Sequence, residues 1–322
     1  MKRMDDSKCE NRGMLLIPSV TVKEGQKVII CDPETGELAE HIPTIIPEGT
    51  KFSTPYQQER NRRYYEMRDR KDIKRDKEST QFTLMRVIGD YGVSPESFVR
   101  LVYLSTYIKF YDTLLIRGSH PIEFDSLPMI LNVSDSTARR FWNEVNQKYL
   151  WVDEMSHIHM NDNVWYRGQL KDYKQTTKLY RNAIRNLYQN APTSSHKRIG
   201  AIFRLLPYLN IKSNALCAEP FTMSMEKNPD NIEYMTVRQL GDLLGVGRSM
   251  DDDSNVNRLI QELRKYQFTV DEQEQNLIAF CFDDKPIDSR IYINPNIVYS
   301  GTPAGKARIM ELASFMRRKK GE

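Results

Sequence analysis

One pattern of inward and outward residues occurs twice along this chain, and that repetition limits the folds open to it more than any other feature. In Ser134-Asp135-Ser136-Thr137-Ala138-Arg139-Arg140-Phe141-Trp142-Asn143-Glu144-Val145, the apolar residues Ala138, Phe141, Trp142 and Val145 recur at helical spacing and should face a core. Ser136, Arg139, Arg140 and Asn143 are left outward, with Thr137 beside them in the first turn. Such groups reach phosphates and base edges. A shorter helix pattern built on Leu127, Ile130 and Leu131 precedes this one. Asn132-Val133-Ser134 separates them, with Ser134 or Ser136 as N-cap. Together they read as a helix-turn-helix.

The second occurrence is Ser254-Asn255-Val256-Asn257-Arg258-Leu259-Ile260-Gln261-Glu262-Leu263, with Val256, Leu259, Ile260 and Leu263 inward and Ser254, Asn257, Arg258 and Gln261 outward. Its first helix starts at Thr236 with Leu240, Leu243 and Leu244 inside, and Gly245-Val246-Gly247-Arg248-Ser249 reads as the turn. Both long helices lead into Val-Asp-Glu, at Val152 and at Val270. Further on, residues 157–168 line up with residues 290–301. Upstream, Leu131-Asn132-Val133 answers Leu244-Gly245-Val246, and Tyr107 answers Tyr208. The same order of matches over a whole unit implies two copies of one domain.

The 322 residues are enough for two or three such domains, and 39% hydrophobic with 28% charged residues describes a globular chain. A formal charge of +4 permits a nucleic-acid partner without requiring one. Cys9, Cys31, Cys217 and Cys281 are scattered, without Cys-x-x-Cys or a histidine at ligand spacing, so neither a zinc site nor a disulfide framework is expected. No apolar run follows the first residues as in a signal peptide, and none reaches membrane-spanning length; the expectation is a cytoplasmic protein.

In order, the chain divides into residues 1–80, a hairpin signal over 27–42 followed by a basic segment; 81–169, the first copy; 170–195, a connecting helix; and 196–322, the second copy with a closing helix over 304–317. The basic segment, residues 57–77, is either an arm lying on DNA phosphates or a solvated stretch laced with charge pairs. Residues 95–108, capped by Ser94 with Pro95 in the first turn, are apolar all round and mark a buried scaffold helix, answered by 199–209 in the second copy. Helix, strand, helix, helix, strand, strand is the order of a winged helix. The expected fold is therefore mainly α with small β wings (α+β): two tandem winged helix-turn-helix domains preceded by a small β-hairpin and a basic segment.

The order of elements, and above all Ile293-Asn294-Pro295-Asn296-Ile297-Val298-Tyr299-Ser300-Gly301, resembles the winged-helix replication proteins of Gram-positive plasmids and phages. There a wing strand ends in an Asn-Pro motif followed by an aromatic residue and glycine. The resemblance covers roughly residues 95–168 and 200–301. In the first copy Asp162 stands where the second has Pro295, which degrades the motif. The resemblance implies double-stranded DNA binding without metal or cofactor, in replication initiation or transcription control. Further partners would be a second copy or replication and transcription proteins. The DNA-contacting candidates are Ser136, Thr137, Arg139, Arg140, Asn143, Arg248, Asn257, Arg258 and Gln261.

Two other classes compete. A scaffold whose domains bind proteins would keep the same helices without the DNA contact. A nicking nuclease would use His157-Ile158-His159 to hold a divalent metal while Tyr180 or Tyr188 attacks the phosphate. The repeat argues against the nuclease, because the matching positions in the second copy are Arg290 and Tyr292. Asp251-Asp252-Asp253 reads as a solvated loop. Residues 245–249 lack the spacing and the lysine of a phosphate-binding loop. No catalytic constellation emerges.

Overall fold

The computed structural model describes residues 20–21, 51–52, 81–168, 175–210, 213–221, 232–246, 252–281 and 290–300, with 306 and 309. The chain divides into two units, residues 1–77 and 78–322. In the first, β1 (Val20–Thr21) pairs antiparallel with β2 (Lys51–Phe52). The expected hairpin over 27–42, the basic segment 57–77 and the closing helix over 304–317 lie outside the described residues.

The second unit begins with β3 (Phe82–Arg86) and then α1 (Pro95–Ser105), the expected scaffold helix. Ser94 caps it by accepting the Ser97 N–H, Pro95 sits in the first turn, and every residue from Ser97 to Ser105 is buried. A helix apolar on all sides needs neighbours on all sides, and each large side chain so enclosed is worth about 1.5–3 kcal/mol. Next come the short pair β4 (Ile116–Arg117) and β5 (His120–Pro121), then a 3-10 turn at Phe124–Ser126. The helices α2 (Leu127–Leu131) and α3 (Asp135–Val145) follow, then the hairpin of β6 (Leu150–Val152) with β7 (Ile158–Met160), and β8 (Trp165–Tyr166).

The second passage starts with β9 (Thr176–Tyr180) and α4 (Arg181–Asn190), so within the described part of the expected connecting helix 176–180 form a strand and 181–190 a helix. Thr177 and Leu179 are buried while their neighbours are half-buried, a two-residue period that suits the β-branched Thr176-Thr177 pair. Then come α5 (His196–Phe203), α6 (Val237–Leu243) and α7 (Asp253–Leu263). The hairpin β10 (Gln267–Val270) and β11 (Gln273–Asn276) precedes the pair β12 (Ile278–Cys281) and β13 (Arg290–Ile293), and β14 (Val298–Tyr299) ends the series.

The repetition holds down to single hydrogen bonds. Tyr107 O accepts the Ile116 N–H at 2.8 Å and Tyr208 O accepts the Cys217 N–H at 2.8 Å. Leu115 N–H bonds Ile158 O as Leu216 N–H bonds Ile291 O. After each inner strand an asparagine closes the same turn: Asn161 Oδ1 accepts from Asn163 N–H and Asn294 Oδ1 from Asn296 N–H, both at 2.9 Å. Asp162 therefore occupies the turn that holds Pro295, and the asparagines on either side carry the geometry.

The tandem winged-helix arrangement expected from the sequence is not what forms. Both repeats feed one four-stranded antiparallel sheet in the order β14, β9, β3, β8, registered through Val298 opposite Leu179, Leu84 opposite Lys178 and Leu84 opposite Tyr166. Among the described residues the second unit also holds four two-stranded sheets, and the fold is α+β with a sheet larger than the small wings expected. Between the repeats α1 lies directly on α5, with Gly200 so close that a Cβ there would stand 1.8 Å from the Pro95 carbonyl oxygen. One continuous core runs from Met85 to Val298. Sequence repetition reveals each unit but carries no record of how their edges join. The second Val-Asp-Glu, at Val270, lies at the turn of the extra hairpin between β10 and β11, which the first repeat lacks.

Candidate nucleic-acid interface

The turn between α2 and α3 is set by Asn132, which takes the left-handed conformation (φ 51°) that asparagine tolerates better than most residues. Ser134 is the N-cap, accepting the Thr137 N–H, which leaves Ser136 exposed. Ala138, Phe141, Trp142 and Val145 are buried as expected, and Trp142 meets Phe124 edge-on at 4.9 Å between ring centres. The outer face then presents Ser136, Arg139, Arg140 and Asn143 to solvent in adjacent turns. Thr137 is half-buried, its hydroxyl 3.0 Å from Ser134 Oγ, so it braces the cap more than it faces outward. Asp125 and Asp135 border a shallow groove beside Arg139, tempering the charge at that end of the helix.

A residue the sequence reading passed over fixes the inner edge of α3. Glu144 accepts hydrogen bonds from the Ser94 N–H, the Ser94 hydroxyl and the Ser97 hydroxyl at the start of α1. Burial opposes its ionisation, but these donors and the charge on Arg100 outweigh that and hold its pKa below the ordinary carboxylate value. In the second repeat Glu262 takes the same place and pairs with Arg198 at 3.1 Å, while Arg198 also donates to Leu244 O at 2.6 Å. The signal was present as a glutamate at one position of both repeats, Asn143-Glu144-Val145 and Gln261-Glu262-Leu263.

Because its pKa is depressed in the fold, Glu144 stabilises the protein above the unfolded carboxylate value, about 4.3, and that contribution fades as pH falls through the lower folded value. Glu144→Ala, which strands the serine donors, should cost roughly 1–3 kcal/mol near neutrality and less in acid. Urea denaturation at neutral and acidic pH measures this, and a cost that does not change with pH would refute it.

On α7, Asp252 caps the helix by accepting from Ser254 N–H, and Ser254, Asn257, Arg258 and Gln261 are exposed. Arg248 and Asp251 lie outside the described residues. Leu243, expected inside, is 45% exposed, whereas Leu240 and Leu244 are buried.

The residues of the nuclease reading have other work. His157 Nδ1 and His159 Nε2 both lie 3.3 Å from Asp153 Oδ2, across the turn between β6 and β7. His159 also stacks on Trp151 and contacts Thr113 Oγ1 at 2.9 Å. Tyr188 is buried, donates its hydroxyl proton to Leu131 O at 2.9 Å, and burial pushes its pKa up, all unlike an attacking phenolate. Tyr180 ends β9, with Lys306 over its ring at 3.3 Å. Among the described residues no three histidine, cysteine or carboxylate side chains are grouped to hold a metal.

Compared with known proteins, the chain matches no family model, no curated protein and no solved structure. Among the described residues no helix is long and apolar enough to cross a membrane.

Proposed function

We propose that this chain binds double-stranded DNA and acts by docking, without metal, cofactor or catalysis. The observation that carries the reading is α3: a helix capped by Ser134, pinned by Phe141 and Trp142 and anchored through Glu144, with Ser136, Arg139, Arg140 and Asn143 on its free face. Guanidinium groups suit phosphate oxygens and guanine edges, and an amide suits adenine. A rigid helix also loses little side-chain and backbone freedom on binding. The Asn294-Pro295 turn motif supports a place in replication initiation or transcription control of a plasmid or phage, in the cytoplasm. A second copy or the proteins of those processes would be further partners.

A second reading, docking onto another protein, is favoured by Met129 and Met155, which are 68% and 72% exposed close to the same helices. Retention of a labelled duplex of arbitrary sequence separates the two. The DNA reading requires binding at low salt that weakens as salt is raised, and the protein-docking reading predicts none. In the same assay His157→Ala combined with His159→Ala should leave duplex binding intact. Metal-dependent nicking by the wild type, abolished in that double variant, would restore the nuclease.

A further inference from the structure

Three arginines donate to the backbone and the threonine hydroxyl at the C-terminal end of α1. Thr106 O accepts from Arg181 Nε and from Arg185 Nη2, both at 2.6 Å, and Thr106 Oγ1 accepts from Arg185 Nε at 2.8 Å. The Arg185 guanidinium lies 4.0 Å above the Tyr107 ring. Two residues on, Ile108 O accepts from Arg167 Nη1 at 2.9 Å. A helix C-terminus favours a cation.

The second repeat supplies the control. The shared bonding of Tyr107 and Tyr208 places Pro207 opposite Thr106, and Pro207 O accepts from a neutral donor, the Phe221 N–H at 2.9 Å. Arg167 is answered by Ser300, which lies at the same step after the asparagine turn. Among the described residues the second repeat thus has a proline and a serine where the first has Thr106 and Arg167. In the first repeat the arginines are crowded at a cost: burial first, then the charges of Arg167 and Arg185, push the Arg181 pKa down to about 9. Arg117, exposed on β4, adds its charge to Arg185 from the rim. Arg185 has five N–H groups and its two bonds to Thr106 leave three.

The geometry points to Arg167, Arg181, Arg185 and Arg117 as a binding site for a backbone phosphate of duplex DNA. A phosphodiester offers an anionic, multi-oxygen acceptor that matches forked guanidiniums and relieves their mutual repulsion. The site stands beside the helix pair, since Tyr188 on α4, one turn beyond Arg185, bonds Leu131 O at the end of α2. It would fix the position of the protein on the duplex while α3 meets the bases.

This assignment rests on the DNA reading and is tested by the salt dependence of duplex binding. Each phosphate contact contributes about 0.9 to the slope of log affinity against log salt. Arg117→Gln, at an exposed position where folding is not at risk, and Arg185→Gln, checked for folding by circular dichroism, should each flatten the slope by about that much. If Arg185→Gln does not fold, Arg117→Gln decides. Wild-type binding with unchanged slopes in the folded variants would overturn the site and leave the DNA reading standing. No duplex binding by the wild type would overturn both.

Discussion

Gly200→Ala is expected to unfold this protein more readily than any other single methyl group added to a described glycine. The new Cβ would fall 1.8 Å from Pro95 O and 2.6 Å from Pro95 C, both backbone atoms that cannot rotate away. Alanine should otherwise favour a helix over glycine by about 1 kcal/mol, so the sign depends on the clash. Overpacking against side chains costs roughly 1–3 kcal/mol, and separating two backbones should reach or exceed the upper figure. Because α1 and α5 belong to different repeats, the damage should reach both: a lowered urea midpoint in a single transition, with fluorescence and circular dichroism coinciding. A midpoint unchanged from wild type, or loss of one repeat while the other stays folded, would contradict the shared core.

The second large effect concerns binding. Arg140→Ala should weaken duplex binding by about 1–3 kcal/mol if the side chain makes a bidentate base contact, and more than Arg258→Ala does. The two arginines occupy the same place on α3 and α7, and both are exposed. Their surroundings differ. The cap of α3 is the neutral Ser134, whereas that of α7 is the charged Asp252, and Arg139 is answered by Asn257. A carboxylate at a helix N-terminus suits the helix dipole but repels phosphate where the helix enters a groove. Titration of a labelled duplex compares the two variants. Equal losses would mean two equivalent readers, and a larger loss at Arg258 would transfer the main contact to the second repeat.

Local chemistry made much of this fold legible. Ser94-Pro95 announced α1, Thr236 announced α6 with the capping box it forms with Gln239, and the spacing of Ala138, Phe141, Trp142 and Val145 located α3 with its buried and exposed faces. What stayed hidden depends on partners distant in sequence. Thr177 and Tyr180 fit a helical period as well as a strand, and pairing with β3 and β14 decides for the strand. The assembly of β14, β9, β3 and β8 joins residues more than two hundred positions apart, which no local period encodes. Arg181 and Arg185, four apart on a helix, resemble an ordinary solvated face until Thr106 is seen beneath them. Leu243 fitted the apolar stripe of α6 and is nonetheless half out of the core, because Leu240 and Leu244 complete the inner contact.

The central claim is that the outer face of α3 meets the phosphates and base edges of duplex DNA. It is tested most directly by log affinity against log salt for the wild type and for Arg139→Gln combined with Arg140→Gln, substitutions at exposed positions that leave the buried face of α3 untouched. The prediction is salt-sensitive binding by the wild type and, in the double variant, weaker binding with a slope reduced by up to about 1.8 if both arginines reach phosphate, or about 0.9 if one reads a base. A double variant that binds as tightly and as steeply as the wild type would show that α3 is not the surface that meets DNA.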